Sequence, residues 1–150
     1  MRVQDILAEK ARRLVTISPD SCVANAAKLM SAERIGALLV VDERQELVGV
    51  LSESDVICSV AGSGADALAG PVRDAMAEPW FVAPQTTVLA VMRVMSDERV
   101  RHIAVTSGPK LIGIVSIGDV LKSRLAERDL EIAVLRDVAG AHSSIVQLDH

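Results

Sequence analysis

Two places in this chain carry a serine and an aspartate three residues apart, within the same pattern Gly-x-x-Ser-x-x-Asp. The pattern places Ser52 with Asp55 and Ser116 with Asp119. A carboxylate accepts several hydrogen bonds at once, and its charge strengthens those that it takes from hydroxyl groups. The same spacing is that of a helix capping box, in which the serine caps the helix and the acidic residue answers from the third position. The pattern therefore predicts ligand contact or helix capping, and one residue can do both.

Composition restricts the kind of ligand. The chain has 150 residues, half of them apolar, with 16 basic and 20 acidic side chains and a net charge of −4. With Trp80 and Phe81 as its only aromatics, it lacks the basic surface and stacking platforms of nucleic-acid binders. No apolar run reaches the roughly 18 residues that span a membrane. The N-terminus has no signal-peptide pattern. Cys22 and Cys58 lack the spacing of a metal site or a redox pair. We expect a globular cytoplasmic protein without nucleic-acid, membrane or metal partners.

The chain contains two copies of one unit. Residues 15–40 align with 80–105 at an offset of 65, and seven of the 26 positions are identical. Residues 47–56 then align with 111–120 at an offset of 64, and five of the ten are identical. A period this long exceeds that of solenoid repeats, so it indicates two homologous half-domains.

Each copy predicts the same elements. A short strand around Val15–Ile17, or Phe81–Val82, ends before a proline, and a three-to-four-residue apolar period then predicts a helix. Two β-rich runs separated by a polar turn predict a hairpin, and a second helix begins at about Asp55 or Asp119. The order β-α-β-β-α therefore occurs twice.

We predict an α+β or α/β fold in which the two half-domains pack about a pseudo-twofold axis. The first copy is expected at 1–62 and the second at 71–125, joined by a small-residue linker at 63–70. A C-terminal helix extension and tail are expected at 126–150.

The duplicated motifs resemble a tandem pair of cystathionine-β-synthase (CBS) domains, a Bateman module of the stand-alone bacterial type. The matching motifs are V-x-D-I/A-M/L at 3–7 and 72–76, I/V-x-P at 17–19 and 82–84, an A-x-x-L/V-M helix, and the closing Gly-x-x-Ser-x-x-Asp in both copies. No single motif is specific, but the set duplicated in register is. The resemblance implies a regulatory module that binds adenosine-containing ligands in clefts between the two halves, and it implies disc-like homodimers.

The resemblance assigns the serine–aspartate pairs to ribose. In the family pattern the aspartate takes the two ribose hydroxyls, while the serine faces ribose or phosphate. Carried over by position, the ribose residues are Asp55 and Asp119, with Ser52 and Ser116 beside them.

A basic pair in the second copy resembles the phosphate-binding pair of AMP-binding relatives. Arg101 and His102 stand before an apolar run where the first copy has Gly36 and Ala37. Arginine offers phosphate a planar fork of donors. One basic pair instead of two predicts unequal sites. The alternative is an exposed arginine paired with a neighbouring acidic side chain, Asp97 or Glu98.

The resemblance also implies an adenine pocket between apolar side chains near the first strand of each copy. Trp80 and Phe81 fall there, and either stack on the purine or are buried in the core. The full expected set is Val15, Thr16, Ala37, Leu38, Trp80, Phe81 and Ile103.

The stretch from Asp119 to Ala139 contains neither glycine nor proline and predicts a helix on the order of 30 Å long that stops at Gly140. Apolar positions alternate at four and three residues, the spacing of a helix-pairing seam interrupted by Arg128. The helix either packs back on its own module or serves self-association, and a frayed tail is expected at 141–150.

These patterns favour a homodimeric, non-catalytic sensor of AMP, ADP, ATP or a related adenosine ligand, with AMP as the leading candidate. An adenine nucleotide would be a regulatory ligand, and no catalytic cofactor is expected. An unidentified regulated protein is a further expected partner. The alternative is a scaffold with the same fold that has lost ligand binding and acts as a dimerisation or protein-interaction module.

Overall fold

The two copies form two small mixed sheets, each with its own helices. The computed structural model describes residues 1–11 and 13–148, with 141–148 described by their backbone alone. The first copy contains helix α1 (Val3–Lys10), strand β1 (Thr16–Ile17), helix α2 (Val23–Glu33), strands β2 (Ala37–Val41) and β3 (Leu47–Ser52), helix α3 (Glu53–Ser63) and a 3-10 helix (Gly64–Ala69). The second copy contains helix α4 (Val72–Ala75), strand β4 (Phe81–Val82), helix α5 (Val88–Glu98), strands β5 (His102–Ser107) and β6 (Lys110–Ser116), and helix α6 (Ile117–Leu148).

Both sheets have the same topology. Strand β2 is central, with β1 parallel on one side and β3 antiparallel on the other, and β4, β5 and β6 repeat this order. The register shifts at equivalent places in the two hairpins, directly after Val40 and directly after Val105. The predicted β-α-β-β-α order is confirmed in both copies.

The helix after the first strand buries the same apolar face in each copy. Ala26 and Met30 of α2 are buried, as are Val91 and Met95 of α5. Residues four apart lie on one face of a helix, so this spacing turns a single stripe towards the core. The predicted helical period is therefore confirmed.

Strand β2 is buried on both faces because its two sides meet different partners. Successive side chains of a strand point to opposite faces. Leu38 and Val40 pack into the core of the first copy, whereas Leu39 packs on the other face with Ala104 of the second copy. The two sheets thus share a core, and the predicted packing of one half against the other is confirmed.

The short helix that begins each copy packs on the other copy. Leu7 of α1 lies against Gly113 of β6, where an added Cβ would be 3.0 Å from a Leu7 methyl carbon. The amide of Val3 donates to the carbonyl of Thr86 at 2.9 Å. Helix α1 therefore lies against the second copy.

Helix α4 makes the reciprocal contacts with the first copy. Met76, directly after α4, occupies the space beside Gly49, and the amide of Val72 donates to the carbonyl of Ser21 at 2.7 Å. Each copy therefore has its complete set of contacts only when the other is present. The motif glycines leave room for these exchanged side chains.

Several boundaries differ from the sequence predictions. Helices α3 and α6 begin at Glu53 and Ile117, directly after the motif serines and two residues earlier than expected. The small-residue segment at 63–70 is largely helical instead of an open linker, and Ala67 within it is buried. Alanine favours helical backbone, which offsets the glycines in this run.

Helix α6 continues through Gly140 to Leu148, so the predicted stop at Gly140 is wrong. An interior glycine costs only about 1 kcal/mol relative to alanine, and alanines flank this one on both sides. Residues 149 and 150, the end of the predicted tail, lie outside the described residues.

The chain divides into two compact units, Met1–Ile117 and Gly118–His150. Within the described residues, the six strands lie in the first unit, and the described part of the second unit is α6 after its first residue. No helix in the described part of the chain is both long enough and apolar enough to cross a membrane.

Candidate functional site

A complete capping box joins Ser52 and Asp55 where β3 meets α3. The Ser52 hydroxyl accepts a hydrogen bond from the Asp55 amide at 3.2 Å, and the Ser52 amide donates to Oδ2 of Asp55 at 2.8 Å. Both bonds satisfy backbone donors that a helix start leaves without an intrahelical acceptor. The capping interpretation of this pair is therefore confirmed.

Capping leaves Asp55 with capacity for a ligand. The Ser52 hydroxyl also donates to Oδ2 at 2.8 Å, so the bonds to Asp55 from both Ser52 donors fall on one carboxylate oxygen. A carboxylate has about four acceptor sites on its two oxygens. The side chain is half-buried, which leaves part of it accessible. One residue can thus cap α3 and still accept hydrogen bonds from outside the chain.

Each motif serine lies beside the head of the neighbouring strand. Ser52 is the register partner of Ala37, and Ser116 is the register partner of His102. One residue further on, the amide of Glu53 donates to the carbonyl of Gly36 at 3.0 Å. The antiparallel hairpin therefore brings together the predicted ribose and strand-head positions.

The second copy repeats this backbone arrangement. The amide of Ile117 donates to the carbonyl of Arg101 at 2.8 Å, which is the counterpart of the bond between Glu53 and Gly36. Asp119 lies in the first turn of α6, three residues after Ser116, and both side chains are half-buried.

The imidazole of His102 crosses to the head of β2 in the first copy. A Cβ built on Gly36 would lie 3.4 Å from Nε2 of His102 and 3.9 Å from the carboxyl carbon of Glu53. The imidazole of the second copy therefore lies within van der Waals range of the Gly36 position in the first copy.

Arg101 is exposed at the head of β5. Among the described residues, no ion pair joins its guanidinium to an acidic side chain. The alternative that Arg101 pairs with Asp97 or Glu98 is therefore not observed. Its donors are available to an anion.

An open cavity of about 640 Å³ adjoins the head of β2. Its charged lining consists of Arg34, at the end of α2, and Glu53, at the start of α3. The lining residues are Ala27, Met30, Ser31, Arg34, Ile35, Gly36, Glu53, Val56 and Ile57. A cavity of this volume is within the range of small-molecule sites.

The two aromatic residues lie at the surface. Trp80 is 43% exposed and Phe81 is 63% exposed, so the alternative that they belong to the core is wrong. The carbonyl of Trp80 accepts a hydrogen bond from the amide of Ala104 at 2.8 Å, which fixes this segment beside β5. Val15 and Thr16, at the equivalent strand of the first copy, are half-buried.

Three of the predicted adenine-pocket residues have buried side chains. Leu38 and Ile103 have no exposed surface, and Ala37 is 4% exposed. Leu38 belongs to the core of its own copy, and Ala37 belongs to the core shared by the two sheets. These three side chains are thus buried in the structure, and their place in an adenine pocket stays a prediction.

The comparison with known families agrees with the duplication seen in the structure. The CBS domain model matches residues 3–62 and 72–126. The chain belongs to the CBS-domain family.

Relatives of known structure share this pair of CBS copies. A CBS-domain containing protein of Agrobacterium tumefaciens is 37% identical, with a TM-score of 0.78 over 82% of this chain and 92% of that one. The mitochondrial CBS domain-containing protein CBSX3 of Arabidopsis thaliana is 33% identical over 87% of this chain and 68% of its own length. The crystal structure of CBSX2 in complex with AMP superposes with a TM-score of 0.71 at 25% identity, over 85% of this chain and 98% of that one.

Sequence reasoning missed two cavity-lining side chains beside the head of β2, Glu53 and Ile35. Glu53 directly follows the motif serine, and Ile35 directly precedes the strand-head glycine. Both line the cavity. Their positions next to motif residues in the sequence could have marked them as site residues. Only the pairing of β2 with β3 brings the two side chains to the same cavity.

Proposed function

We propose that this chain is a non-catalytic regulatory module that binds an adenosine-containing ligand, AMP foremost, between its two CBS copies. The observation that carries the proposal is the repeated placement of a motif serine beside a strand head. In the second copy that strand head is Arg101 and His102, and the Arg101 guanidinium has no acidic partner among the described residues. A hydroxyl paired across the hairpin with His102, and an unpaired guanidinium on the preceding residue, suit a phosphorylated sugar.

The ribose would bind at the carboxylates. Asp55 keeps acceptor capacity beyond its capping bonds, and the vicinal hydroxyls of a ribose are two donors that one carboxylate can take together. We assign the corresponding role in the second copy to Asp119, with Ser52 and Ser116 as the neighbouring hydroxyls.

The phosphate would bind at Arg101 and His102. A guanidinium binds phosphate through two parallel hydrogen bonds, and a bound phosphate favours the charged imidazole. The first copy has Gly36 and Ala37 at these positions, so we expect one of the two sites to bind phosphorylated ligands more tightly. The AMP complex of the relative CBSX2 supports AMP as the first ligand to test.

Self-association and location complete the proposal. We propose a homodimer, supported by the large aliphatic side chains exposed on α6. A cytoplasmic location is part of this proposal. We also expect the nucleotide-bound form to differ in its affinity for a regulated protein, since a ligand shifts only an equilibrium whose states it binds unequally.

Calorimetric titration of AMP and adenosine into the wild type and Arg101→Ala tests the phosphate assignment. Arg101→Ala should cost AMP roughly 1.5 to 3 kcal/mol, the usual value of a hydrogen bond to a charged group, and should leave adenosine nearly unchanged. Arg44→Ala, an exposed arginine of the β2–β3 loop, is the matched control and should leave both ligands unaffected. Equal losses for AMP and adenosine would contradict a phosphate role.

Thermal unfolding against AMP, ADP, ATP, NAD and S-adenosylmethionine tests the ligand class. A ligand at 100 times its Kd adds about 2.7 kcal/mol to the free energy of unfolding. If none of these compounds raises the unfolding temperature, the sensor proposal is wrong and the chain is a scaffold that has kept the fold without the ligand.

A further inference from the structure

Helix α6 exposes large aliphatic side chains from Leu121 onwards. Leu125 is 63% exposed, Ile132 is 40% exposed and Leu135 is 68% exposed. Large apolar side chains exposed repeatedly along one helix of a folded protein indicate an interaction surface.

These side chains follow the spacing of a coiled coil. Six positions from 121 to 139 alternate at four and three residues, which is the a/d pattern of a heptad repeat. With Leu125, Ile132 and Ala139 at a, the d positions are Leu121, Arg128 and Leu135. A seam of this length spans about 27 Å at 1.5 Å per residue.

The charges beside this seam indicate what covers it. In a parallel pair in register, each g residue faces the e residue five positions later in the partner. Arg124 then meets the partner's Asp129, and Glu131 meets the partner's Arg136. All four residues are exposed, and opposite charges at e and g set the orientation of coiled coils.

The antiparallel arrangement is disfavoured by the same charges. If the apolar layers are aligned so that Arg128 faces the partner's Ile132, Glu131 faces the partner's Glu131 and Asp129 faces the partner's Asp129. Like charges at these positions repel. We infer that α6 of two copies pairs as a parallel, in-register coiled coil over residues 121–139.

Arg128 makes this seam weaker than an all-aliphatic one. Two arginines would meet at one d layer, where their stems lie along the seam and their charged heads reach solvent. Polar residues at a core position specify register at a cost in stability. Arg124 is also bonded to Glu127 of its own helix at 2.8 Å, and exposed pairs of this kind contribute little, so exchanging that partner costs little.

The inference rests on the homodimer of the proposed function, but it does not need nucleotide binding.

Disulfide trapping tests the coiled coil in the full chain with Cys22→Ser and Cys58→Ser, which leaves no other thiol. Ala139→Cys lies on the seam, and Asp137→Cys, two residues away, lies on the outer face. Bridged cysteines usually have Cα atoms about 4.4 to 6.8 Å apart. With oxidised glutathione as the oxidant, Ala139→Cys should form a covalent dimer and Asp137→Cys should not.

Two outcomes of trapping are separable by sedimentation of the untreated protein. If sedimentation shows a dimer but Ala139→Cys forms no disulfide, or Asp137→Cys forms one equally well, the coiled coil is overturned. The homodimer would remain in place. A monomer at all accessible concentrations would overturn both.

Substitutions without added thiols test the seam and the charges. Leu135→Glu should raise the dimer Kd roughly tenfold or more, since a central aliphatic side chain is lost from the interface. Leu130→Glu, on the outer face and 66% exposed, is the matched control and should leave the Kd unchanged. Equal effects of the two variants would contradict the seam.

Mixing two charge variants tests the salt bridges. Glu131→Arg alone and Arg136→Glu alone should each dimerise more weakly, because each places like charges across the seam. An equimolar mixture should form heterodimers preferentially, since both cross-seam pairs regain opposite charges. Preferential homodimers would contradict the parallel pairing.

Discussion

Met76 occupies the space that a side chain on Gly49 would need. A Cβ on Gly49 would lie 2.9 Å from Cγ of Met76 and 3.2 Å from the carbonyl oxygen of Ala77. That carbonyl cannot move freely, because it accepts a hydrogen bond from the amide of Val50 at 3.0 Å. The glycine of the Gly-x-x-Ser-x-x-Asp motif therefore allows the close contact between β3 and the residues that follow α4.

Gly49→Ala should lower the free energy of unfolding by about 1 to 3 kcal/mol, the usual cost of overpacking a filled site. Gly62→Ala is the control, because no atom lies within 4 Å of its Cβ position on α3. That control should leave stability unchanged or raise it by up to about 1 kcal/mol. Urea unfolding of both variants measures the difference, and an unchanged Gly49→Ala would contradict the close approach.

The two roles of Asp55 are separable by substitution. Asp55→Asn keeps a side-chain oxygen for the Ser52 amide, so its free energy of unfolding should stay within about 0.5 kcal/mol of the wild type. It loses the charge that strengthens bonds to ribose hydroxyls, so AMP and adenosine should both bind roughly tenfold more weakly. Calorimetry and urea unfolding on the same samples provide both numbers.

Ser52→Ala is the complementary change. It removes the acceptor of the Asp55 amide and should cost about 1 kcal/mol of stability, as N-cap removal does. If Asp55→Asn destabilises as much as Ser52→Ala and leaves nucleotide binding intact, Asp55 is a capping residue only.

Because α1 packs on the second copy and α4 on the first, shortening a side chain of either helix should loosen the opposite copy. Leu7→Ala should speed amide hydrogen exchange in β5 and β6, because Leu7 covers Gly113 there. Met76→Ala should instead speed exchange in β3, beside Gly49. Each change should cost about 2 kcal/mol. Mass spectrometry of peptides from 37–52 and 102–116 distinguishes the two regions. If Leu7→Ala speeds amide exchange only in 37–52, the packing of α1 on the second copy is contradicted.

Gly140→Ala tests the continuation of α6. At an interior helical position, alanine is about 1 kcal/mol more favourable than glycine, so the helical circular dichroism should rise and amide exchange at 136–140 should slow. If Gly140 instead ended the helix in a left-handed conformation, alanine would be strained there. Loss of helical signal in this variant would therefore place the helix end at Gly140.

The sequence by itself was sufficient for the features that depend on neighbouring residues. The repeat, the order of elements and the capping box of Ser52 and Asp55 follow from local spacing, because helix periods and caps join groups three or four residues apart. The single glycine at 140 misled the prediction, because its modest local cost does not by itself end a helix whose neighbours favour it.

Only the tertiary structure decided which residues meet across long separations. A run such as Leu38 to Val41 is apolar at every position, so its pattern does not tell which side faces a ligand and which faces a core. The structure buries Leu38 in the core of its own copy, and the paired copies set His102 beside Gly36. The packing of α1 on the second copy and of α4 on the first was likewise beyond local reasoning, because these contacts join residues far apart in the sequence.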